Sequence, residues 1–220
     1  MNNPKPKKIQ DEYIPFNYSI KDKKKLNRSF QIKNQHFLDV IMNRRSNKVF
    51  HPLSLENLSE LLYFSNKIHE LYEEDSGYIA SKRTAPSAGG RHPIDLLISM
   101  PTTKSERNLA YYNPIDHSLN ELNINGQKLV SFFSEINENI LINNACVIWF
   151  SIQTNKTQTK YENCESLYWK DCGALLYCIQ IVSNYIGLKS CPLGNLATNG
   201  YNNIFKTDQL ISGGGILVGL

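Results

Sequence analysis

Long apolar runs are missing from this sequence: nothing in its 220 residues approaches the roughly 18 consecutive apolar residues of a membrane-spanning helix. No hydrophobic stretch follows Met1-Asn2-Asn3-Pro4-Lys5, so a secretory signal is not expected and a cytoplasmic location is. No Cys-x-x-Cys pair occurs among Cys146, Cys164, Cys172, Cys178 and Cys191. An odd, unpaired set speaks against a disulfide framework, and the lack of closely spaced Cys/His pairs speaks against a metal site. A Gly-rich segment followed by Lys-Ser/Thr is absent, as is G-x-G-x-x-G, which excludes a P-loop and a Rossmann dinucleotide fingerprint.

Charge is also scarce where a polyanion would need it. The formal net charge is +4, but residues 1–30 hold eight Lys/Arg against three acidic residues. The other 190 residues therefore carry sixteen against seventeen. A basic arm precedes a nearly neutral body, and a nucleic-acid-binding fold needs its basic face within the body. No nucleic-acid role is expected.

What is present fits one compact domain: 41% of the residues are apolar. Residues 1–30 have no clear period and read as an extended arm draped over the body by Tyr13, Ile14, Phe16 and Tyr18. The body, 31–220, alternates helix and strand patterns, which predicts an α+β or α/β class with a central sheet. A short helix is expected from His36 to Asn43, and Ser54 reads as the N-cap of a helix carrying Leu55, Leu58, Leu61, Leu62 and Ile68. Residues 73–93 look polar and turn-rich. Strands are expected at 94–100, at 145–152 (buried on both faces) and at 215–220, with a hairpin around 111–119. Helices are expected at 127–142 and 168–186, the second stopped by Gly187, and 189–195 reads as a loop.

Four segments could carry chemistry. Arg44, Arg45, Ser46 and Lys48 place three cations and a hydroxyl within five residues, enough to converge on a phosphate; a solvated helix end is the alternative. Pro86-Ser87-Ala88-Gly89-Gly90 has side chains small enough for backbone to approach a flat ring, or is simply a turn. Lys160-Tyr161 could supply a base and a phenol for proton transfer, or be a surface lysine beside a packing tyrosine. Cys191-Pro192-Leu193-Gly194 could present backbone groups to a ligand, or merely connect.

Taken in order, these segments resemble the nitroreductase-like flavoprotein superfamily over about residues 35–220. The Pro-Ser-Ala-Gly-Gly-x-x-Pro form at 86–93 is similar to its SagB/McbC-type dehydrogenase branch, as are Tyr112, His117 and Leu119 and the Lys160-Tyr161 pair. That branch acts in making thiazole- and oxazole-containing peptides. The resemblance implies an FMN-binding α+β fold, a mixed or antiparallel sheet flanked by helices, and a homodimer with flavin at the interface. It places Arg44, Ser46 and Lys48, with Arg45 in support, at the phosphate and ribityl chain. Pro86, Ser87, Ala88 and Gly89 would lie against the isoalloxazine, usually from the other subunit. Cys191, Pro192, Leu193 and Gly194 would lie near the ring, and Lys160 and Tyr161 would be the catalytic pair. The expected activity is oxidation of an azoline in a ribosomal peptide to an azole, with a cyclodehydratase complex as a further partner. Reduction of small molecules by NAD(P)H and a non-catalytic flavin-binding or scaffold subunit are the alternatives. Two departures stand out: Lys48 occupies a position where arginine is commoner, and no arginine follows Lys160-Tyr161 before Gly173.

Overall fold

The computed structural model describes residues 2–101, 107–138 and 140–220. The chain opens with β1 (Lys5–Pro6), β2 (Ile20–Lys25) and α1 (Phe37–Asn43). The helix α2 (Leu55–Asn66) starts at a reciprocal cap: the Asn57 N–H donates to Ser54 Oγ at 3.1 Å, and Asn57 Oδ1 accepts from the Ser54 N–H. A hairpin of β3 (Ile68–Glu73) and β4 (Ile79–Arg83) leads to a 3-10 turn at Ala88–Gly90. Then come β5 (Ile94–Ser99), β6 (Ala110–Asn113), β7 (Ser118–Leu122), α3 (Gly126–Asn137) and β8 (Cys146–Gln153). The short α4 (Thr154–Gln158) and β9 (Tyr161–Glu162) precede the long α5 (Glu165–Ile186). The chain closes with β10 (Lys189–Pro192), α6 (Thr198–Phe205) and β11 (Leu210–Gly219).

Among the described residues, seven strands form the main sheet in the order β10-β11-β8-β5-β6-β7-β2, and every neighbouring pair is antiparallel. The fold class is α+β. All eight residues of β8 are buried, because helices cover both faces of the sheet. Alternation divides them: Ile148, Phe150 and Ile152 join Leu58, Leu61, Leu175 and Ile179 of α2 and α5 on one face. Val147 and Trp149 join Phe132, Ile136 and Tyr201 of α3 and α6 on the other. Full burial of each such large side chain contributes roughly 1.5–3 kcal/mol, so this one strand anchors both layers. Among the described residues no helix is long and apolar enough to cross a membrane.

Several element boundaries differ from those read in the sequence. Ile68 begins β3 instead of extending α2, and the polar stretch after it pairs as the β3–β4 hairpin. The helix expected at 127–142 ends at Asn137, and residue 139 of that span lies outside the described residues. The long helix begins three residues earlier than expected, at Glu165. Part of the expected loop at 189–195 is β10, an edge strand that pairs Cys191 with Leu217. The last strand begins at Leu210, carrying a bulge between Ser212 and Gly215 that hides its period.

The first residues of the chain are held by pairing. β2 forms an edge of the main sheet against β7, and β1 pairs with β9. Between them the chain runs along 153–162, with the Lys7 N–H donating to the Lys160 carbonyl (2.8 Å) and the Asp11 N–H to the Thr159 carbonyl (2.9 Å). Tyr13 packs edge-on against Tyr78, and Tyr18 stacks on Tyr111. Ile14, by contrast, points to solvent.

Candidate functional site

The turn at 86–93 is tied to α5. Ser87 Oγ donates to Asp171 Oδ2 and accepts from the His92 N–H (2.8 Å), while the Ala88 N–H donates to Asp171 Oδ1 (3.2 Å). Burial pushes the Asp171 carboxyl above the usual range, with the Ser87 and Ala88 hydrogen bonds opposing it. His92 sits at φ +42 with its ring buried. Burial and the nearby Arg83 charge push its pKa down to about 3, so the ring is neutral and its Nε2–H donates to the Ser81 carbonyl at 2.9 Å.

Gly89 fixes the relation of this turn to Lys160 and Tyr161. It lies at φ +60, and a Cβ on it would stand 2.6 Å from the Tyr161 hydroxyl and 3.1 Å from Lys160 Cδ. Lys160 Nζ donates to Glu74 Oε1 at 2.7 Å and to the Gly89 carbonyl at 3.4 Å. Glu74 also receives Arg91 Nη2 at 2.9 Å, so one carboxylate holds both cations. Burial pushes the Glu74 carboxyl up, but the Lys160 hydrogen bond and the Arg91 charge outweigh it and hold the group below its ordinary range. Arg91 itself is buried, stacks 3.8 Å from the Tyr78 ring centre and contacts Gln10.

The segment 44–48 runs beside β10. Ser46 bridges Ser190 in parallel, and the Asn47 N–H donates to the Ser190 carbonyl at 2.9 Å. Ser46, Arg45 and Lys48 are exposed and Arg44 is partly so. The Arg45 guanidinium turns back to the carbonyls of Met42 and Arg44. Among the described residues, none of Arg44, Arg45 and Lys48 has a carboxylate partner. Burial pushes the Cys191 thiol up while the Lys48 charge pulls against it, which puts that cation beside β10. Pro192 and Leu193 are partly buried and Gly194 is exposed, with the Leu193 N–H donating to the Gly215 carbonyl (2.9 Å).

The predicted site residues thus fall into 44–48 beside Ser190 and 86–89 with Lys160 and Tyr161, while 191–194 run between these levels, Leu193 meeting Gly215 where it pairs with Trp149 in the middle of β8. Among the described residues no hydrogen bond or ion pair joins them. The sheet register explains the separation. Ser190 pairs with Val218, which pairs with Cys146 at the start of β8; Ile94, just after the turn, pairs with Ile152 near its end. Six residues of strand span roughly 20 Å. The arrangement offers uncompensated cations at one end of the sheet, and a backbone cradle with proton-transfer groups at the other. A Cβ would fill that cradle, and the free cations lack a counter-charge, so both halves fit the FMN that the sequence resemblance implies.

Sequence reasoning did not single out Glu74 or Asp171 as site residues. Glu74 lies in a polar stretch without a signal of its own. Asp171 has one usable cue, an acidic residue nearly two turns into a long apolar helix, where charge is costly without a partner.

Comparison with known proteins gives a consistent picture. A family model described as the nitroreductase family matches residues 41–219. No curated protein matches the chain. A crystal structure of a candidate nitroreductase from Ralstonia eutropha is similar at 18% identity, with a TM-score of 0.68, covering 99% of this chain and 98% of that one. The E. coli microcin synthetase McbBCD complex contains a chain similar at 16% identity and a TM-score of 0.60, covering 88% and 75%. A candidate nitroreductase from Desulfovibrio desulfuricans, solved in complex with FMN, is similar at 14% identity and a TM-score of 0.54, covering 85% and 87%. At these identities the likeness to the solved structures speaks to the fold.

Proposed function

The chain belongs to the nitroreductase family, and from that premise we propose that it is an FMN-dependent oxidoreductase that oxidises thiazoline or oxazoline rings of a ribosomally made peptide. The observation that carries this reading is the packing of Lys160 and Tyr161 against Gly89, where no side chain could intervene. Arg44, Ser46 and Lys48 would hold the FMN phosphate and ribityl chain, with Arg45 beside them. Pro86, Ser87, Ala88 and Gly89 would lie against the ring, and Cys191, Pro192, Leu193 and Gly194 would line its other side. Bound FMN would supply the two-electron acceptor that no side chain provides.

The separation of roughly 20 Å along the strands between the levels of 44–48 and of 86–89 supports a second copy of the chain completing each site. Phe37, Leu38, Met42 and Val49, all exposed, flank the 44–48 segment and offer such a copy an apolar surface. In the reaction, Lys160 would take the acidic Cα proton of the azoline as a neutral amine, so its ammonium must first give up a proton, to Glu74 at 2.7 Å or to water. Lys160 must also leave Glu74, and the Gly89 carbonyl keeps its Nζ beside the turn meanwhile. Tyr161 orients the substrate ring from the adjacent position. McbBCD, a synthetase complex with a similar chain, supports placing this protein in a complex that modifies a peptide.

A second reading, reduction of a small molecule by NAD(P)H, is favoured by one observation. Lys160 Nζ is a donor in both of its contacts, which suits proton delivery to a reduced product. One experiment separates the two. Purified protein should carry the visible absorption of flavin. An azoline peptide should bleach it rapidly, and Lys160→Ala should keep the flavin and lose that turnover. Rapid bleaching by NAD(P)H alone supports the second reading, and a protein that takes up no FMN overturns both.

A further inference from the structure

A cavity of about 540 Å³ opens between the β3–β4 turn, the β6–β7 turn and the first residues of the chain. That volume lies within the roughly 300–1,000 Å³ of small-molecule sites. Its walls combine the rings of Tyr13, Tyr78 and Tyr111 with three cations, Arg83, Arg91 and Lys156.

The charges do not cancel locally. Lys156 is paired with Asp95 at 3.0 Å, and Asp95 also accepts from Tyr18 and Gln153. Arg91 is paired with Glu74. Arg83 has only neutral partners: its Nε donates to Ser81 Oγ at 3.0 Å and its Nη1 to Asn66 Oδ1 at 3.4 Å. Among the described residues no carboxylate lies within ion-pair distance of it. Arg91, 2% exposed, lies over the Tyr78 ring, and its unpartnered Nε and Nη1 are sealed away from the open cavity. Buried guanidinium groups are ordinarily paired, since losing water without a counter-charge is costly. Arg83, on the cavity wall without a carboxylate partner, points to a missing anion.

The same walls define what the anion is attached to. Tyr13, Tyr78 and Tyr111 make the wall aromatic; one face of Tyr78 carries Arg91 and one of Tyr111 is stacked on Tyr18, and the remaining ring surface suits a planar aromatic body. Of the three cations only Arg83 lacks a carboxylate within ion-pair distance, and Glu12 and Asp95 both stand at the cavity with the opposite charge, so a single negative charge fits better than two. A planar carboxylate matches the fork of an arginine with two parallel hydrogen bonds.

We propose that this cavity is a binding site for a small aromatic monocarboxylate, its carboxylate on Arg83 and its ring among Tyr13, Tyr78 and Tyr111. The ligand is connected to Lys160, because Arg91 on the cavity wall and Lys160 share Glu74.

Calorimetric titration of the full chain with benzoate, benzamide and inorganic phosphate tests this. Benzoate should bind saturably, benzamide about tenfold or more weakly because it lacks the charge, and phosphate no better than benzamide because it lacks the ring. Arg83→Gln should weaken benzoate by about tenfold or more and leave benzamide unchanged, while Arg83→Lys should fall between. Equal binding of benzoate and benzamide, or of benzoate to the wild type and Arg83→Gln, overturns the proposal, as does no benzoate binding at millimolar concentration. Tighter binding of phosphate than of benzoate overturns the aromatic assignment. Should Arg83→Gln fail to fold, the benzoate–benzamide comparison on the wild type decides alone.

Discussion

Replacing Glu74 by Gln keeps the shape of the side chain and removes the one charge shared by Arg91 and Lys160. The consequences are unequal. The Arg91 side chain is 1% exposed and that of Lys160 is 22% exposed, so Arg91 is left as an uncompensated buried cation while Lys160 can turn to water. Breaking a buried pair from one side costs about 3–5 kcal/mol. The Lys160 contact, being screened, adds a few tenths at most. Loss of about 3 kcal/mol is therefore expected, equivalent to roughly 6–12 °C in Tm for a chain of this length. The pH dependence gives a second reading. The folded-state pKa of Glu74 is depressed below its ordinary 4.5, so its contribution is fully present above that value and is lost as pH falls through the folded-state pKa. The gap between wild type and Glu74→Gln should be widest near neutrality and close on acidification. Urea unfolding followed by circular dichroism at about pH 7 and at stepped lower values measures it. A gap under about 1 kcal/mol at neutral pH, or one that does not change with pH, refutes the reasoning.

Asp171→Ala should behave in the opposite sense with pH. It removes the acceptor of Ser87 Oγ–H and the Ala88 N–H, a loss of about 1–3 kcal/mol. The Asp171 pKa is raised on folding, so its favourable contribution is present in acid and is lost as pH rises through the folded-state value. The gap to wild type should shrink toward neutrality in the same unfolding series, and a gap that widens would be inconsistent with a buried, raised carboxyl. Gly89→Ala and Gly77→Ala form a matched pair: both glycines have positive φ, at +60 and +76, but only at Gly89 does a Cβ meet other atoms. Both should lose about 1–2 kcal/mol from the backbone, with Gly89→Ala losing more because Tyr161 and Lys160 must move. Equal melting temperatures for the two variants would show that the cradle is looser than its geometry.

The parts of the fold legible in the sequence are those where packing repeats a period. The run from Ala145 to Ile152 announces a strand covered on both faces, and Ser54 announces the start of α2, because each rests on a local rule that the tertiary structure obeys. The hairpin of β6 and β7 was legible for the same reason. β2 was not: its residues, IKDKKK, are all exposed, so no face alternates and nothing distinguishes it from a solvated tail. β3 is similar, with most of its residues in water. β10 was hidden by its Pro192 and by the Gly-rich loop after it, though an edge strand tolerates a proline. The ordered motifs suggested which segments belong to the candidate site, but their distribution along β8 follows from strand register. Glu74 and Asp171 owe their importance to partners distant in sequence, Lys160 and Ser87, and no local pattern reports such a pair.

The lysines of β2 have a consequence for assembly. A sheet ends in a row of unpaired backbone groups, which is a template for a further strand. Here that row belongs to a strand bearing Lys21, Lys23, Lys24 and Lys25, all exposed; Lys21 pairs with Glu121 and Lys23 with Asp116, leaving Lys24 and Lys25 without a carboxylate partner among the described residues. A second copy adding itself edge to edge would set two such rows side by side, about 5 Å apart, and the repulsion would be unscreened at that distance. The opposite edge, β10, is closed by Ser46 and interrupted by Pro192. Continuous sheet across two copies is thus disfavoured at both ends. The lysines near the start of the chain act against edge-to-edge polymerisation.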